Sequence, residues 1–165
     1  MIKISCYKTT NDSLTKTFCQ LAQKCYNSSL NTCVITDNEQ LTEELDRTLW
    51  TFSKKFFIPH ATDKDPIPEK QPIFITNSII NPNCSSLLIV VNPSTESLLK
   101  IISEPEFLIK INKVLIIFDN DDIINFHHIK NIFIKSHLQI TSIDFFQRNI
   151  NGSWQEINNL TDNDQ

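Results

Sequence analysis

Glycine is nearly absent from this sequence, which has a single one, Gly152, among its 165 residues. Loops that cradle phosphate groups need glycine wherever the backbone must approach the phosphate closely, as in the G-x-x-x-x-G-K-[ST] and G-x-G-x-x-G motifs. Neither motif occurs in the chain. The usual nucleotide-phosphate loops are therefore excluded.

Long apolar runs and metal-ligand spacings are also missing. No apolar run approaches the roughly 20 residues that span a bilayer, and the first residues, MIKISCYK, lack the apolar stretch and the cleavage site of a signal peptide. The 5 cysteines form no C-x-x-C pair, and their odd number favours reduced thiols in the core over a disulfide framework. The sequence therefore predicts a cytoplasmic protein with no metal site, no cofactor and no membrane contact.

An excess of basic charge is missing as well, because the formal net charge is −4 at pH 7. A protein whose whole surface binds nucleic acid is expected to carry a basic footprint. We therefore expect no direct, specific contact with DNA, and any involvement with DNA to be indirect.

Catalytic signatures are also missing from the sequence. The 4 histidines lie in no nucleophile elbow or triad motif. Asp119, Asp121 and Asp122 follow a predicted strand, but a lone acidic loop is more often a solvated turn at a helix start than a metal site. We therefore predict that the protein is not an enzyme and has no catalytic residues of its own.

The chain does contain a regular alternation of strand and helix patterns. Its 165 residues are enough for one domain that buries about 70% of its unfolded surface. Apolar alternation and apolar runs predict strands, and apolar residues at helical spacing predict helices. The predicted strands cover residues 2–7, 32–36, 73–76, 87–91, 113–118 and 139–146. One predicted helix follows the possible caps Asn11 and Asp12, and a second follows Asp37. An irregular helix covers 94–108 with a break at Pro105, and the last helix extends from about Ile123 to Ser136.

This alternation predicts an α/β fold of three layers, in which a mostly parallel sheet is flanked by helices in a Rossmann-like arrangement. Asn151-Gly152 is the pair most favoured in two-residue hairpins, so Trp154 is expected on a returning strand. That strand would form an antiparallel C-terminal edge hairpin. We predict one domain over residues 1–157 and a flexible tail over 158–165.

Residues 49–61, LWTFSKKFFIPHA, concentrate aromatic side chains where the second helix ends. A connecting segment normally runs over the surface, so core-type residues in it either fold back into the core or face a partner. Both interpretations are open for Trp50 and Phe57. We expect Phe52 and Phe56 to be core residues.

The same segment carries a family resemblance. Leu49-Trp50, followed by Phe57-Ile58-Pro59-His60, resembles the L-W-(six residues)-F-[hydrophobic]-P-H signature of the chi subunit of bacterial DNA polymerase III. The stretch PIFITNSIINPNCSSLLIVVN is similar to that family's strand, N-P-N turn and strand. The chain departs from the family at SHLQI, where chi chains often have a glycine. The C-terminal aromatic and G-x-W residues of many chi chains are matched by Phe146, Gly152 and Trp154.

The resemblance implies a non-catalytic accessory subunit of the clamp loader. Chi proteins link the clamp loader to the C-terminal tail of single-stranded-DNA-binding protein during DNA replication, and in some bacteria they pair with a psi subunit. Trp50 and Phe57 would then face psi, the clamp loader or another replication or repair partner, with Pro59 and His60 shaping that surface. The alternative is that Pro59 only stops the chain and His60 is a hydrogen-bonded structural histidine.

An acidic tail that ends in Phe with a free carboxylate needs cations beside an apolar pocket. Residues 125–143 contain no acidic residue but several basic ones. On a helix, Phe126, Ile129, Ile132 and Phe133 share one face, and an ordinary amphipathic helix with a solvated basic side is the simpler interpretation. With the resemblance, the candidates for the tail site are Lys130, Phe133, Ile134 and Lys135, with His127 or His128 as secondary cations.

Two other classes of protein stay open. One is a divergent nucleotide- or small-molecule-binding α/β domain, which a saturable thermal shift with a nucleotide would reveal. The other is an adaptor for another partner, built on the same fold, which a pull-down from cell extract would reveal.

Overall fold

The computed structural model describes residues 1–10, 13–119 and 124–157. The strands and helices within these ranges follow the predicted order, with one short strand, His60–Thr62, added to it. They are β1 (Ile2–Lys8), α1 (Leu14–Asn27), β2 (Thr32–Thr36), α2 (Glu39–Phe52), β3 (His60–Thr62), β4 (Ile73–Thr76), β5 (Leu87–Val91), α3 (Thr95–Ile102), α4 (Pro105–Leu108), β6 (Lys113–Phe118), α5 (Phe126–Ile134), β7 (Ile140–Arg148) and β8 (Trp154–Glu156).

All eight strands form one sheet in the order β3-β4-β2-β5-β6-β1-β7-β8. The pairs from β3 to β7 are parallel, and β7 pairs with β8 in the antiparallel sense. The predicted α/β fold with an antiparallel edge hairpin is therefore confirmed. Within the parts of the chain that the structure describes, no helix has the length and apolar character needed to cross a membrane.

Helices cover both faces of the sheet. Because successive strand residues point to opposite sides, each inner strand contributes to two cores. Leu88 and Val90 of β5 belong to the apolar core beneath α3, α4 and α5. Leu87, Ile89 and Val91 of the same strand belong to a second core beneath α1 and α2. Every residue of β5 is buried, which explains the continuous apolar run in its sequence.

The helix starts differ from the predicted ones in detail. Asn38, not Asp37, caps α2 by accepting a hydrogen bond from Leu41 N at 2.9 Å, and Asp37 instead accepts one from Ser94 N at 2.8 Å. Asn125 caps α5, so the helix begins three residues later than predicted. Several predictions fall on residues outside the described ranges: the caps Asn11 and Asp12, the acidic residues Asp121 and Asp122, the start at Ile123 and the tail 158–165.

The cysteines are core residues with one exception. Cys6, Cys19, Cys25 and Cys33 are buried, but Cys84 is exposed in the connection between β4 and β5, so its predicted place in the core is wrong. Burial raises the pKa of the Cys19 and Cys33 thiols to about 12. These two thiols therefore stay protonated and unreactive at neutral pH.

The C-terminal aromatic residues attach the edge hairpin to β1. Tyr7 stacks on Phe146 with ring centroids 5.0 Å apart and meets Trp154 edge-on at 5.1 Å, and Arg148 lies 4.7 Å above the Trp154 ring. The connection between β7 and β8 spans residues 149–153 and not only Asn151-Gly152, and Gly152 adopts the left-handed φ of 78° that favours glycine. The predicted returning strand with Trp154 is confirmed.

Candidate protein-binding surfaces

The segment after α2 turns sharply away from the helix. Ser53 ends α2 in an extended conformation, and its Oγ accepts hydrogen bonds from the backbone N–H groups of Lys55 and Phe56 at 3.3 and 3.1 Å. Ile58 then returns to the core with 1% of its surface exposed. The chain between Ser53 and Ile58 is thereby held as a short loop on the surface.

Three aromatic side chains project from this region, and we call Trp50, Phe56 and Phe57 the aromatic patch. Their exposed fractions are 58%, 64% and 59%. The ring centroids of Trp50 and Phe57 lie 5.2 Å apart, within the range of a favourable aromatic pair. Trp50 and Phe57 therefore do not close the core over α2, and the two rings form one apolar surface accessible to a partner.

His60 supports this pair from below. Its side chain is fully buried, and its ring centroid lies 5.0 Å from that of Trp50 and 6.4 Å from that of Phe57. Nδ1 lies 2.6 Å from the carbonyl oxygen of Ile58, so Nδ1–H donates to that oxygen. Nε2 lies 3.2 Å from Asp46 Oδ1, close enough for an ion pair when the ring is protonated, although it is not aligned as a hydrogen bond. His60 is thus a hydrogen-bonded structural residue that also fixes the base of the patch.

The predicted core role of Phe56 is wrong, and that of Phe52 is correct in part. Phe52 is half-buried and packs against the core beneath α1 and α2. Phe56 lies outside because the Ser53 turn directs the loop into solvent, and Ile58 takes the core position. Pro59 is partly buried and leads directly into β3, a three-residue edge strand that the sequence did not predict.

Helix α5 carries the second set of candidate residues and presents three different faces. Phe126, Ile129 and Phe133 point into the core, where the Phe126 ring packs edge-on against Phe118 and Phe145 at 5.2 and 5.0 Å. Phe133 is only 4% exposed. It therefore fixes the helix to the sheet and presents almost no surface to a ligand.

The remaining candidates on α5 separate onto two flanks. At about 100° per residue, His127, Lys130 and Ile134 lie within about 60° of one another on one flank. His128 and Lys135 lie on a flank about 130° away from them, where both line a groove between α3 and α5. The structure thus places five of the six predicted residues on α5 and Lys135 at its C-terminal cap, but does not bring them into one site.

The groove between α3 and α5 has a volume of about 780 Å³. We call it the α3–α5 groove. Two helices about 30 residues apart in the chain form it, so no local sequence pattern marks it as a site. One hint in the sequence is the pair Leu98-Leu99, because two adjacent leucines on a helix cannot both face the core. The structure buries Leu98 and leaves Leu99 51% exposed. Apolar walls are supplied by Leu99, Ile102, Ile132 and Leu138, and basic groups by His128, Lys135 and His137.

Ion pairs elsewhere on the surface connect the segment after β3 to α2. Lys64, in the connection after β3, lies 2.6 Å from Glu43 and 2.9 Å from Glu39 on α2. The hydrogen bond from Lys64 lowers the pKa of the Glu43 carboxyl, and the same contact raises the pKa of Lys64. These exposed charges tie the connection after β3 to the first half of α2.

The fold and these surfaces define a class of protein: a doubly wound α/β domain without a phosphate loop and with exposed apolar surfaces on both helical layers. Its architecture matches the solved C-terminal domain of the DEAD-box protein Dbp5 with a TM-score of 0.55 over 89% of this chain and 90% of that one. Only 8% of the residues are identical, so this match shows the fold alone.

Sequence comparison places the chain within one family of that class. The family described as "DNA polymerase III chi subunit, HolC" matches residues 1–133. A relative from Rickettsia prowazekii (strain Madrid E), named "Probable DNA polymerase III subunit chi", is 34% identical over 160 residues, which cover 95% of this chain and 93% of the relative. The chain belongs to the DNA polymerase III chi subunit family, as its aromatic signature indicated.

Proposed function

We propose that this protein is a non-catalytic accessory subunit that links the clamp loader of DNA polymerase III to the C-terminal tail of single-stranded-DNA-binding protein during DNA replication. Membership of the chi family supports a place in the polymerase III assembly. The observation that carries the adaptor role is the exposed Trp50–Phe57 pair above buried His60, because a core function does not require two rings more than half exposed to solvent.

The aromatic patch is the proposed contact with the clamp loader or with a psi subunit. Large aromatic side chains dominate the binding energy of interfaces when they become desolvated against a partner. Trp50 and Phe57 are already held by each other and by His60, so little side-chain entropy remains to be lost on binding. Pro59 and His60 contribute by fixing the loop and not by direct contact.

Helix α5 is the proposed contact with the acidic tail. Lys130 lies on the helix and Lys135 is the cap residue at its C-terminal end, and His127 and His128 extend the basic character along the helix. Basic side chains beside apolar surface are the expected receptor for an acidic peptide with a C-terminal aromatic residue. The aromatic patch lies on the α1–α2 layer and α5 on the opposite layer, so one domain can hold both partners at once.

The test of this function separates the two surfaces. A purified protein is titrated with an acidic peptide that ends in Pro-Phe, and separately with the isolated clamp loader. We expect Trp50→Ala to abolish clamp-loader binding and leave peptide affinity unchanged, and Lys135→Glu to have the opposite effect. Loss of both interactions in either folded variant would argue against an adaptor with two independent surfaces.

A further inference from the structure

Asp46 and Trp50 lie one turn apart on α2, so their side chains leave the same side of the helix. The His60 ring contacts both of them. Its centroid lies 5.0 Å from that of Trp50, and its Nε2 lies 3.2 Å from Asp46 Oδ1. The position of the Trp50 ring therefore depends on how His60 and Asp46 interact.

The contacts of the His60 ring restrict where its protons lie. Nδ1 lies 2.6 Å from the carbonyl oxygen of Ile58, and that oxygen can only accept, so Nδ1 carries a hydrogen. In the neutral ring Nε2 is then an acceptor, and it faces the Asp46 carboxylate, which is also an acceptor. Within the described residues, the buried Nε2 has no aligned hydrogen-bond partner. One further proton, held between Nε2 and the carboxylate, turns this contact of two acceptors into an attraction.

Asp46 is the one carboxylate within ion-pair distance of His60 among the residues that the structure describes. The strand next to β3, β4, contains no charged residue. On α2, Glu43 pairs with Lys64 at 2.6 Å, and after β3, Asp63 accepts a hydrogen bond from Thr76 Oγ1 at 2.7 Å. The other charged side chains on α2 and in the loop before β3 that lie near this region are exposed: Glu44, Arg47, Lys54 and Lys55. The proton is therefore shared by His60 and Asp46 alone.

Partner binding increases the importance of this proton. The Asp46 side chain is 30% exposed, so water solvates part of its charge in the free protein. A partner that covers Trp50 removes water from the same side of α2, and a carboxylate that loses water needs an opposite charge beside it. The imidazolium form of His60 supplies that charge. It also attracts the Trp50 ring, because their centroid distance of 5.0 Å is within the range of a cation–π contact.

We infer that Asp46 is a positioning residue of the aromatic patch: it shares a proton with His60, and this proton holds the Trp50 ring in place for tight binding. The inference rests on the proposed function, since the partner is the clamp loader or psi subunit proposed above. It goes further by assigning a role to Asp46 and by making binding dependent on pH. When one proton must be held for binding, the dissociation constant rises by up to about tenfold for each pH unit above the transition.

Two variants that each remove one carboxylate from α2 test the assignment. Asp46→Asn keeps the shape of the side chain, and its amide can donate to Nε2 of the neutral ring, so the contact stays attractive without the extra proton. Glu44→Gln is the matched control, because position 44 lies about 200° around the helix from position 46. Both positions are at least partly exposed, so far-UV circular dichroism and thermal melting are expected to stay close to those of the parent.

The first readout is the dissociation constant for the isolated clamp loader, measured from about pH 6 to about pH 9, the range in which histidine loses its charge. We expect the parent and Glu44→Gln to lose about tenfold or more in affinity over this range, and Asp46→Asn to lose less than about threefold. At the basic end Asp46→Asn is therefore expected to bind more tightly than the parent. A purely structural role of Asp46 would instead make the variant weaker at every pH. Groups of the clamp loader titrate equally in all three series, so the differences between the series report on α2.

The second readout needs no partner. The sequence contains 2 tryptophans, so Trp154→Phe leaves Trp50 as the source of tryptophan emission. An imidazolium in contact with an indole ring quenches its fluorescence, so emission should rise as His60 loses its proton. We expect this rise to coincide with the loss of affinity in the parent and to move to lower pH when Asp46→Asn is added.

The outcomes separate the inference from the proposed function. If the clamp loader binds the parent and Asp46→Asn with the same pH profile, the role of Asp46 is wrong and the proposed function stands. If the parent does not bind the clamp loader at any pH, the proposed function fails and the pH-dependent binding fails with it. An emission transition that Asp46→Asn leaves unchanged would show that the two residues share no proton, and it would overturn the inference whether or not the clamp loader binds.

Discussion

The aromatic patch and the α3–α5 groove are both exposed apolar surfaces, but they are built in different ways. The patch comes from eight consecutive positions, 50–57, with buried His60 beneath two of its rings. The groove comes from two helices that the chain reaches about 30 residues apart, and its basic groups come from α5 and the turn after it. A surface formed by neighbouring residues leaves a signature in the sequence, whereas a surface formed between helices does not.

The largest expected effect is on stability, and it comes from Ile58, which anchors the loop of the patch without being part of the patch. Ile58 is 1% exposed and lies in the core beneath α1 and α2. Replacing it by alanine leaves a cavity, so we expect Ile58→Ala to lower the free energy of unfolding by about 2–5 kcal/mol. Urea denaturation measures this loss. A variant as stable as the parent would show that the loop is not anchored through Ile58.

The next effect concerns binding and not stability. Trp50→Ala and Phe57→Ala are each expected to remove about 2 kcal/mol or more of binding free energy toward the clamp loader or psi, with little change in melting temperature because both side chains are more than half exposed. Within the patch, Phe56→Ala is the comparison variant and is expected to cost less binding free energy, since Phe56 is as exposed but lies outside the cluster of Trp50, Phe57 and His60. A drop in melting temperature without selective loss of binding would restore the core interpretation.

The sequence predicted the features that neighbouring residues determine, and it did not predict those that depend on turns or on contacts between distant segments. Strand runs such as 87–91 and the aromatic signature were sufficient for the fold and for the patch, because their pattern is local. Phe56 was misplaced because the Ser53 turn, and not hydrophobicity, decides which side chain enters the core. The α3–α5 groove was not predicted because its two sides come from distant parts of the chain, and the six candidates at α5 were treated as one set although the helix separates them.

Salt is expected to distinguish the two surfaces by a smaller amount. Pairs between carboxylates and exposed lysines weaken as the Debye length falls below its value of about 8 Å at physiological ionic strength. If the proposed function holds, peptide binding at the basic groups of α5 is expected to lose about 1 kcal/mol between low and high salt, and partner binding at the patch to lose less because its contacts are apolar. Titrations of both partners over one salt series measure the difference, and equal salt dependence would mean that the two surfaces share one binding chemistry.

The smallest effect lies in the exposed ion pairs of Lys64, which joins the connection after β3 to Glu43 and Glu39 of α2. Because the hydrogen bond from Lys64 lowers the pKa of Glu43 in the folded protein, the pair stabilises the fold at neutral pH, and this contribution is lost as the pH falls through the lowered pKa. Lys64→Met removes the charge and keeps the apolar stem. The melting temperatures of variant and parent should therefore differ slightly at pH 7 and converge as the pH falls well below 4.5, the ordinary value for Glu. High salt should remove the same difference at neutral pH. A difference that persists in acid and in salt would show that the Lys64 stem, and not its charge, holds this connection against α2.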